Sequence, residues 1–265
     1  MFLTKGPLPL APLWERFFKG HESLYSVYIH SLPSYEAEFS SKSVFYGRQI
    51  PSQAAEWGQM SMCDAERRLL ANALLDFSNE CFVLVSESCI PLYNFTLTYQ
   101  YITNSRYSFM GAFDDPGPVG RGRYNYNMSP EVSLSQWRKG SQWFETHRNL
   151  ALVIVSDTTY YPKFEAFCRP ACYVDEHYFP TMLTIKAPGL IANRSLTWVD
   201  WSRGGPHPAT FGKSDITEEF MKKLHQFQNC VYNGEHSSIC YLFARKFSPG
   251  SLEPLLLLAP KFLGY

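Results

Sequence analysis

Short apolar runs alternate along the chain with longer stretches of helical periodicity. Residues 24–30 and 44–46 are rich in β-favouring side chains, which predicts two short strands. Residues 53–77 carry apolar side chains at helical spacing, so we expect an amphipathic helix there. The continuous apolar run 81–85 is typical of a buried parallel strand, and a polar loop at 86–91 follows it.

The same alternation continues through the second half of the chain. The further predicted elements are a short helix near 96–102, an extended piece at 107–113, a helix ending near 156, a strand at 195–201, an amphipathic helix at 216–227 and a last strand at 239–243. This order predicts an α/β fold with a mainly parallel central sheet flanked by helices, which binds ligands at the carboxyl edge of its strands. We expect residues 1–265 to form a single domain, because no low-complexity linker divides them.

The overall charge excludes a nucleic-acid surface as the leading hypothesis. The chain has 24 Lys and Arg residues against 24 Asp and Glu residues, so its formal net charge is zero. Aromatic residues make up 16% of the chain, which suits contact with sugar rings but is also typical of a large core. The seven Cys residues are too few for a disulfide scaffold, and their odd number leaves at least one free thiol.

The termini and the sequons bear on localisation. The first four residues, MFLT, have the pattern of the end of a buried strand, so we expect a strand and an anchor upstream of this chain. No apolar run within the chain approaches the roughly 20 residues that span a bilayer. Glycosylation sequons at Asn94 and Asn193, and a poorer one at Asn127, favour a secretory lumen.

An acidic pair, Asp175-Glu176, opens the apolar segment 173–184. Carboxylates are favoured in the first turn of a helix, and Pro180 also fits near a helix start. A glutamate held there could accept a proton from a sugar hydroxyl. Acidic residues also cap ordinary helices, so this segment alone does not distinguish a catalytic base from a cap.

Two groups of basic residues are candidates for binding anions or sugars. Arg245 and Lys246 end a predicted buried strand, where they could bind a diphosphate and stabilise a departing nucleotide without a metal. A solvated basic pair is the alternative. Arg121 and Arg123 alternate with tyrosines, which suits either the wall of a sugar cleft or a solvated loop.

Two sets of residues invite a metal interpretation that we do not favour. Asp114-Asp115 could bind a divalent cation, but the sequence Asp-Asp-Pro-Gly is an ordinary turn. Cys168, Cys172 and His177 lack a fourth ligand and a standard zinc spacing, so a disulfide or simple burial is the preferred interpretation.

Five short motifs, taken in order, resemble the core-2/I-branching β-1,6-N-acetylglucosaminyltransferase-like family (glycosyltransferase family 14), and most of all its plant brittle-culm branch. They are Ser-Glu-Ser-x-x-Pro at 86–91, Gly-Ser-Gln-Trp-Phe at 140–144, the Asp-Glu pair at 175–176, Trp-x-x-Trp-x-Arg at 198–203 and Phe-Ala-Arg-Lys-Phe at 243–247. The likeness extends over nearly the whole chain.

The resemblance implies a GT-A type nucleotide-sugar transferase fold and inversion at the anomeric carbon. It implies a UDP-sugar donor, with N-acetylglucosamine or xylose as the expected sugar, a glycan or glycoprotein acceptor, and no required metal or other cofactor. It also implies a type II membrane protein of the Golgi lumen, which contacts the membrane only through an anchor outside this chain.

The resemblance assigns roles to residues by position. Those roles are catalytic base for Glu176, donor diphosphate binding for Arg245 and Lys246, the donor side of the cleft for Ser86, Glu87, Gly140 and Ser141, and the acceptor side for Trp201, with Arg121 and Arg123.

Two positions depart from the pattern of animal members, which leaves the donor sugar open. Ser31 follows His30 where those members have an Asp, and Phe227-Gln228 stand where an arginine joins the diphosphate site. A catalytically inactive sugar-binding or scaffold member is therefore the first competing hypothesis. The second is a glycoside hydrolase that pairs Glu176 with Glu87 or Asp175.

Overall fold

The computed structural model describes residues 1–226 and 229–265. The α-helices in these residues are α1 (Ala11–Phe18), α2 (Met60–Leu74), α3 (Phe95–Thr103), α4 (Arg148–Ser156), α5 (Tyr161–Phe167), α6 (Tyr178–Lys186), α7 (Glu218–Leu224) and α8 (Leu252–Phe262). The β-strands are β1 (Phe2–Leu3), β2 (Ile29–His30), β3 (Cys81–Val83), β4 (Val85–Ser86), β5 (Ile90–Pro91), β6 (Glu145–His147), β7 (Thr197–Val199), β8 (Cys230–Tyr232), β9 (Glu235–Ser237) and β10 (Phe243–Arg245).

A three-stranded parallel sheet in the order β2-β1-β4 lies at the centre of the molecule. The first residues of the chain form its middle strand, which confirms that MFLT belongs to a buried strand. The expectation of a further upstream segment stays a prediction. Phe2 faces one apolar core and Leu3 the other, as alternation along a strand requires. The sheet is therefore buried on both faces.

The predicted mainly parallel central sheet is found only in part. A second sheet, in the order β5-β10-β7, is mixed: β10 runs parallel to β7 and antiparallel to β5. The pairs β3-β6 and β8-β9 are both antiparallel. An apolar run shows that a strand is buried but not which way its neighbour runs, so the direction of pairing was not predictable.

The apolar run 81–85 is divided into two strands rather than one. Residues 81–83 form β3 and pair with β6, whereas β4 begins at Val85 and pairs with β1. Between them the amide of Leu84 donates to the carbonyl of Phe144. This change of partner brings the 140–147 segment beside the central sheet.

Several helix bounds also differ from the prediction. The helix expected at 53–77 is α2, which begins only at Met60 and ends at Leu74. The predicted helix ending near 156 is preceded by β6, and α7 ends at Leu224. The predictions missed α1 and α8, which both contain prolines. The proline of α1 lies in the first turn, which tolerates it, whereas Pro260 lies inside α8 near its end.

Two disulfides are present, Cys168–Cys172 and Cys230–Cys240. The first confirms the disulfide interpretation of Cys168 and Cys172 over a zinc site. Cys63, Cys81 and Cys89 are free thiols. Among the described residues, no helix combines the length and apolar character needed to cross a membrane.

Candidate active site

A cleft of about 470 Å³ opens where the central sheet and the mixed sheet end. The strands β1, β4, β7 and β10 each contribute an end residue to its wall. Most of the predicted site residues line it, namely Ser86, Glu87, Gly140, Ser141, Glu176, Trp201, Arg245 and Lys246. The carboxyl ends of parallel strands are where such sheets bind ligands, so the fold brings these distant motifs together.

The basic pair forms one end of the cleft. The Arg245 guanidinium lies 4.1 Å above the ring centroid of Trp143, and its buried Nε has no hydrogen-bond partner in the described part of the chain. Burial lowers the pKa of Arg245 and also that of Lys246, where the neighbouring Arg245 charge adds to the effect. Within residues 1–226 and 229–265, neither side chain forms an ion pair with the protein. The nearby Glu87 charge acts on both cations without forming an ion pair, so two partly buried cations remain that favour an anionic ligand.

Glu176 lies elsewhere on the wall of the same cleft and is held by two cations. Its Oε2 accepts hydrogen bonds from Arg123 Nη1 at 3.2 Å and from Lys139 Nζ at 3.0 Å. Its Oε1 forms no hydrogen bond with any residue that the structure describes. The carboxylate is thus fixed through one oxygen, which leaves the other free to accept a proton.

The sequence pattern predicted that Glu176 lies in the first turn of the apolar helix, but the residue lies before that helix. It ends the short 3-10 turn Val174–Glu176, and α6 starts two residues later at Tyr178. Its charge is therefore compensated by side chains and not by the free amides of a helix start. Pro180 does lie in the first turn of α6, as expected.

Asp175 lies beside Glu176 and is more deeply buried, with 4% of its surface exposed. Its Oδ1 has no hydrogen-bond partner among the described residues. Burial, and then the charge of Glu176, raise the pKa of Asp175 to about 7. This carboxyl is therefore largely neutral at pH 6.

Gly140 joins the cleft wall to the segment that contains Glu176. Its amide donates to the Glu176 carbonyl at 2.7 Å. A Cβ at this position would collide with the carbonyl oxygen of Gly111 and would lie 2.7 Å from Pro180. Only glycine permits this approach, because the backbones are too close for any side chain. Ser141 follows at the edge of the cleft, where its Oγ accepts from the Trp143 amide at 3.3 Å.

The other predicted lining residues differ in their exposure. Ser86 is buried, and its Oγ lies 3.0 Å from the Oγ of Ser88. Glu87 is partly exposed in the loop that follows β4. Trp201 has 52% of its surface exposed, so a broad aromatic face is available to a ligand at the mouth of the cleft.

The two loop arginines have different partners. Arg123 binds Glu176 and stacks on Tyr173 at 4.2 Å, whereas Arg121 is bidentate to Asp114 at 2.7 and 2.6 Å. Neither Arg121 nor Arg123 is among the described residues that line the cleft. The Asp115 carboxylate accepts from the Gly117 amide at 2.7 Å, which confirms the turn interpretation of the acidic pair.

Sequence reasoning missed several residues of the cleft. Lys139 directly precedes the Gly-Ser motif, and this adjacency to a predicted cleft turn was the available signal. Trp57 was placed in a predicted helix but lies before α2, where 46% of its surface is exposed. His30 also lines the cleft; burial, and next the charge of Arg68, lower its pKa to about 4, so it is neutral.

Of the two positions that depart from the pattern of animal family members, the structure describes only the first. Ser31 lines the cleft, is buried, and accepts a hydrogen bond at its Oγ from Gln49 Nε2 at 2.7 Å. The prediction about Phe227 and Gln228 lies outside the described residues.

The two main sequons lie in loops or caps. Asn94 caps α3, with its Oδ1 accepting from the Leu97 amide at 2.9 Å. Asn193 has a positive φ of 49°, and its Oδ1 accepts from the Ala112 amide at 2.6 Å. Their glycosylation stays a prediction.

Comparison with known proteins assigns the chain to a family. The model of the Core-2/I-Branching enzyme family matches residues 1–225. The chain is also 37% identical, over 295 residues, to Glycosyltransferase BC10 of Oryza sativa subsp. japonica. That match covers 94% of this chain and 73% of the rice protein. The chain therefore belongs to the Core-2/I-branching enzyme family and is a glycosyltransferase, which acts on a sugar donor and an acceptor.

Proposed function

We propose that the protein is an inverting, metal-independent glycosyltransferase of the GT-A type that uses a UDP-sugar. The observation that carries the proposal is the shared cleft, in which Glu176 faces the same space as Arg245 and Lys246. The basic pair forms no ion pair within the described residues, and a nucleotide diphosphate has the negative charge to bind both cations.

The proposed reaction is a single in-line displacement. The acceptor oxygen attacks the anomeric carbon as the bond from that carbon to the diphosphate oxygen breaks. Glu176 takes the acceptor proton through its free Oε1. Arg245 and Lys246 stabilise the negative charge that develops on the departing UDP.

The remaining residues would bind the two substrates. Ser86, Glu87, Gly140 and Ser141 would contact the donor, and the exposed ring of Trp201 would stack on the acceptor. Arg123 acts through Glu176 as a positioning residue. An acceptor role for Arg121 rests on the resemblance alone, because its guanidinium is bound to Asp114.

We propose a glycan or glycoprotein acceptor and either N-acetylglucosamine or xylose as the transferred sugar. The expected location is the Golgi lumen, in a full-length type II membrane protein whose anchor lies outside this chain. The two disulfides support a luminal location, since such bonds persist in oxidising compartments.

The test is a panel of UDP-sugars assayed for UDP release, together with thermal-shift titrations of UDP, UDP-N-acetylglucosamine and UDP-xylose. A bound nucleotide stabilises the folded state, so we expect a concentration-dependent rise in Tm and turnover that persists in EDTA. A Tm rise without turnover on any donor would support the inactive alternative that Ser31 motivates. Strict Mn²⁺ dependence would contradict the metal-independent mechanism. The hydrolase hypothesis has no support, because the family is one of glycosyltransferases.

A further inference from the structure

A second group of reactive side chains lies on β3 and β6, outside the cleft. The donor atoms of Cys81, Glu145 and His147 all lie within 4.8 Å of one another. Cys81 pairs directly with His147 in the antiparallel ladder, and Glu145 lies two residues before His147 on the same face of β6. The register of these two strands therefore creates the group.

Glu145 is the least expected member of this group. Its side chain is fully buried, and its only side-chain hydrogen bond within the described residues is one that Oε2 accepts from the Phe109 amide at 3.3 Å. Its Oε1 has no hydrogen-bond partner in residues 1–226 and 229–265, and it lies 3.8 Å from His147 Nε2, which has none there either. No Lys or Arg in the described part of the chain forms an ion pair with it. A buried carboxyl in this position requires either a proton or a cation.

We propose that Cys81, Glu145 and His147 bind a divalent transition-metal ion of the zinc class, with water as the fourth ligand. Thiolate, imidazole and carboxylate are the ligands that zinc takes, whereas Mg²⁺ and Ca²⁺ prefer oxygen ligands alone. Zinc bonds of about 2.0–2.3 Å in tetrahedral geometry place ligand atoms roughly 3.3–3.8 Å apart. The distance between Glu145 Oε1 and His147 Nε2, 3.8 Å, already has this value. Small side-chain movements would therefore bring all three ligand atoms to bonding distance of one metal ion.

A metal ion could reach this group through a cavity that is separate from the cleft. A second cavity, of about 760 Å³, is lined by Cys81 and His147 among others. In the part of the chain that the structure describes, this cavity and the cleft share no lining residue. The ion would join β3 to β6 and stabilise the fold without taking part in sugar transfer.

The experiment measures metal binding by the intact protein with its two disulfides formed. Elemental analysis after incubation with Zn²⁺ and gel filtration should give one equivalent, and Zn²⁺ should raise the Tm. Co²⁺ in place of Zn²⁺ should show a thiolate-to-cobalt charge-transfer band. EDTA should lower the Tm to that of the metal-free protein while the initial transfer rate is unchanged.

Cys81→Ser and Glu145→Gln should each weaken Zn²⁺ binding by more than about tenfold, and Cys81→Ser should abolish the charge-transfer band. Glu235→Gln is the control, because Glu235 is an exposed glutamate on β9 and lies outside the group. Circular dichroism and the UDP-induced Tm shift show whether each variant is folded. Folded wild-type protein that retains no zinc, or equal zinc retention by the folded Cys81→Ser variant, would overturn the proposal.

Discussion

The carboxylate and the basic pair of the cleft differ in how the protein treats their charge. Glu176 is compensated by Arg123 and Lys139, which both bind the same carboxylate oxygen. Arg245 and Lys246 form no ion pair in the described residues and are partly desolvated. The charge of the carboxylate is therefore compensated by side chains of the protein, whereas the two cations are available to an anionic ligand. Under the proposed function, this difference would separate the group that performs the chemistry from the groups that bind the substrate.

The largest expected effect follows from removing the charge of the carboxylate. Glu176→Gln keeps the size of the side chain but cannot accept the acceptor proton, so transfer should fall by roughly 10²–10⁴-fold. UDP binding should be unchanged, because the basic pair is intact. UDP-release kinetics and calorimetry in parallel measure the two quantities. Glu219→Gln, at an exposed position on α7, is the control. Near-normal turnover of Glu176→Gln would remove Glu176 from the catalytic role.

The second effect comes from the basic pair. Arg245→Met retains an apolar contact with Trp143 but loses the charge. A charge-assisted hydrogen bond contributes about 1.5–3 kcal/mol, so the Kd for UDP should rise roughly 10–100-fold. Lys222→Met, in an exposed basic pair on α7, should leave the Kd unchanged. Equal UDP affinity in the Arg245 variant and the wild type would show that the diphosphate lies elsewhere.

A smaller effect tests whether Lys139 positions the carboxylate. Lys139→Met removes one of the two ion pairs to Glu176, and kcat should fall about two- to fivefold, with UDP affinity retained. Lys139→Arg should restore most of kcat, because a cation is again within reach of Oε2. A Met variant with wild-type kcat, or an Arg variant no better than Met, would mean that Arg123 alone orients Glu176.

The smallest effect concerns stability and not transfer. Burial raises the pKa of Asp175 from 3.8 to about 7, so the folded state binds its proton more tightly than the unfolded state does. Stability contributed by this group is thus lost as the pH rises from about 4 to about 7. Asp175→Asn should flatten this part of the stability curve and raise the Tm by a few degrees at pH 7.5, at about 2–4 °C per kcal/mol. An unchanged Tm–pH profile between pH 4 and 8 would contradict the burial of an ionisable group here.

Much of the cleft was predictable because its residues follow apolar strands. Ser86 and Arg245 each end a short buried strand, and the hydrophobic pattern alone placed both at a sheet edge. The prediction that Glu176 lies in the first turn of a helix missed by two residues, since α6 starts at Tyr178, but the acidic pair and Pro180 did mark where that helix begins. The positions of these residues in the fold are thus determined by their neighbours in the sequence.

The interactions that organise the carboxylate were not predictable, because they join distant segments. Lys139 and Arg123 lie 37 and 53 residues from Glu176 in the sequence. Similarly, the direction of each strand pair and the register that brings Cys81 opposite His147 are tertiary outcomes. Periodicity reports which side chains are buried but not which partner buries them.

The most direct test of an anion site formed by the basic pair compares UDP with uridine by calorimetry in the wild type and in Lys246→Met. In the wild type, UDP should bind at least about tenfold more tightly than uridine, because only UDP carries the diphosphate. In the variant this difference should shrink while the affinity for uridine is retained. Equal affinities for UDP and uridine in the wild type, or a difference that the variant fully preserves, would contradict a diphosphate site at Arg245 and Lys246.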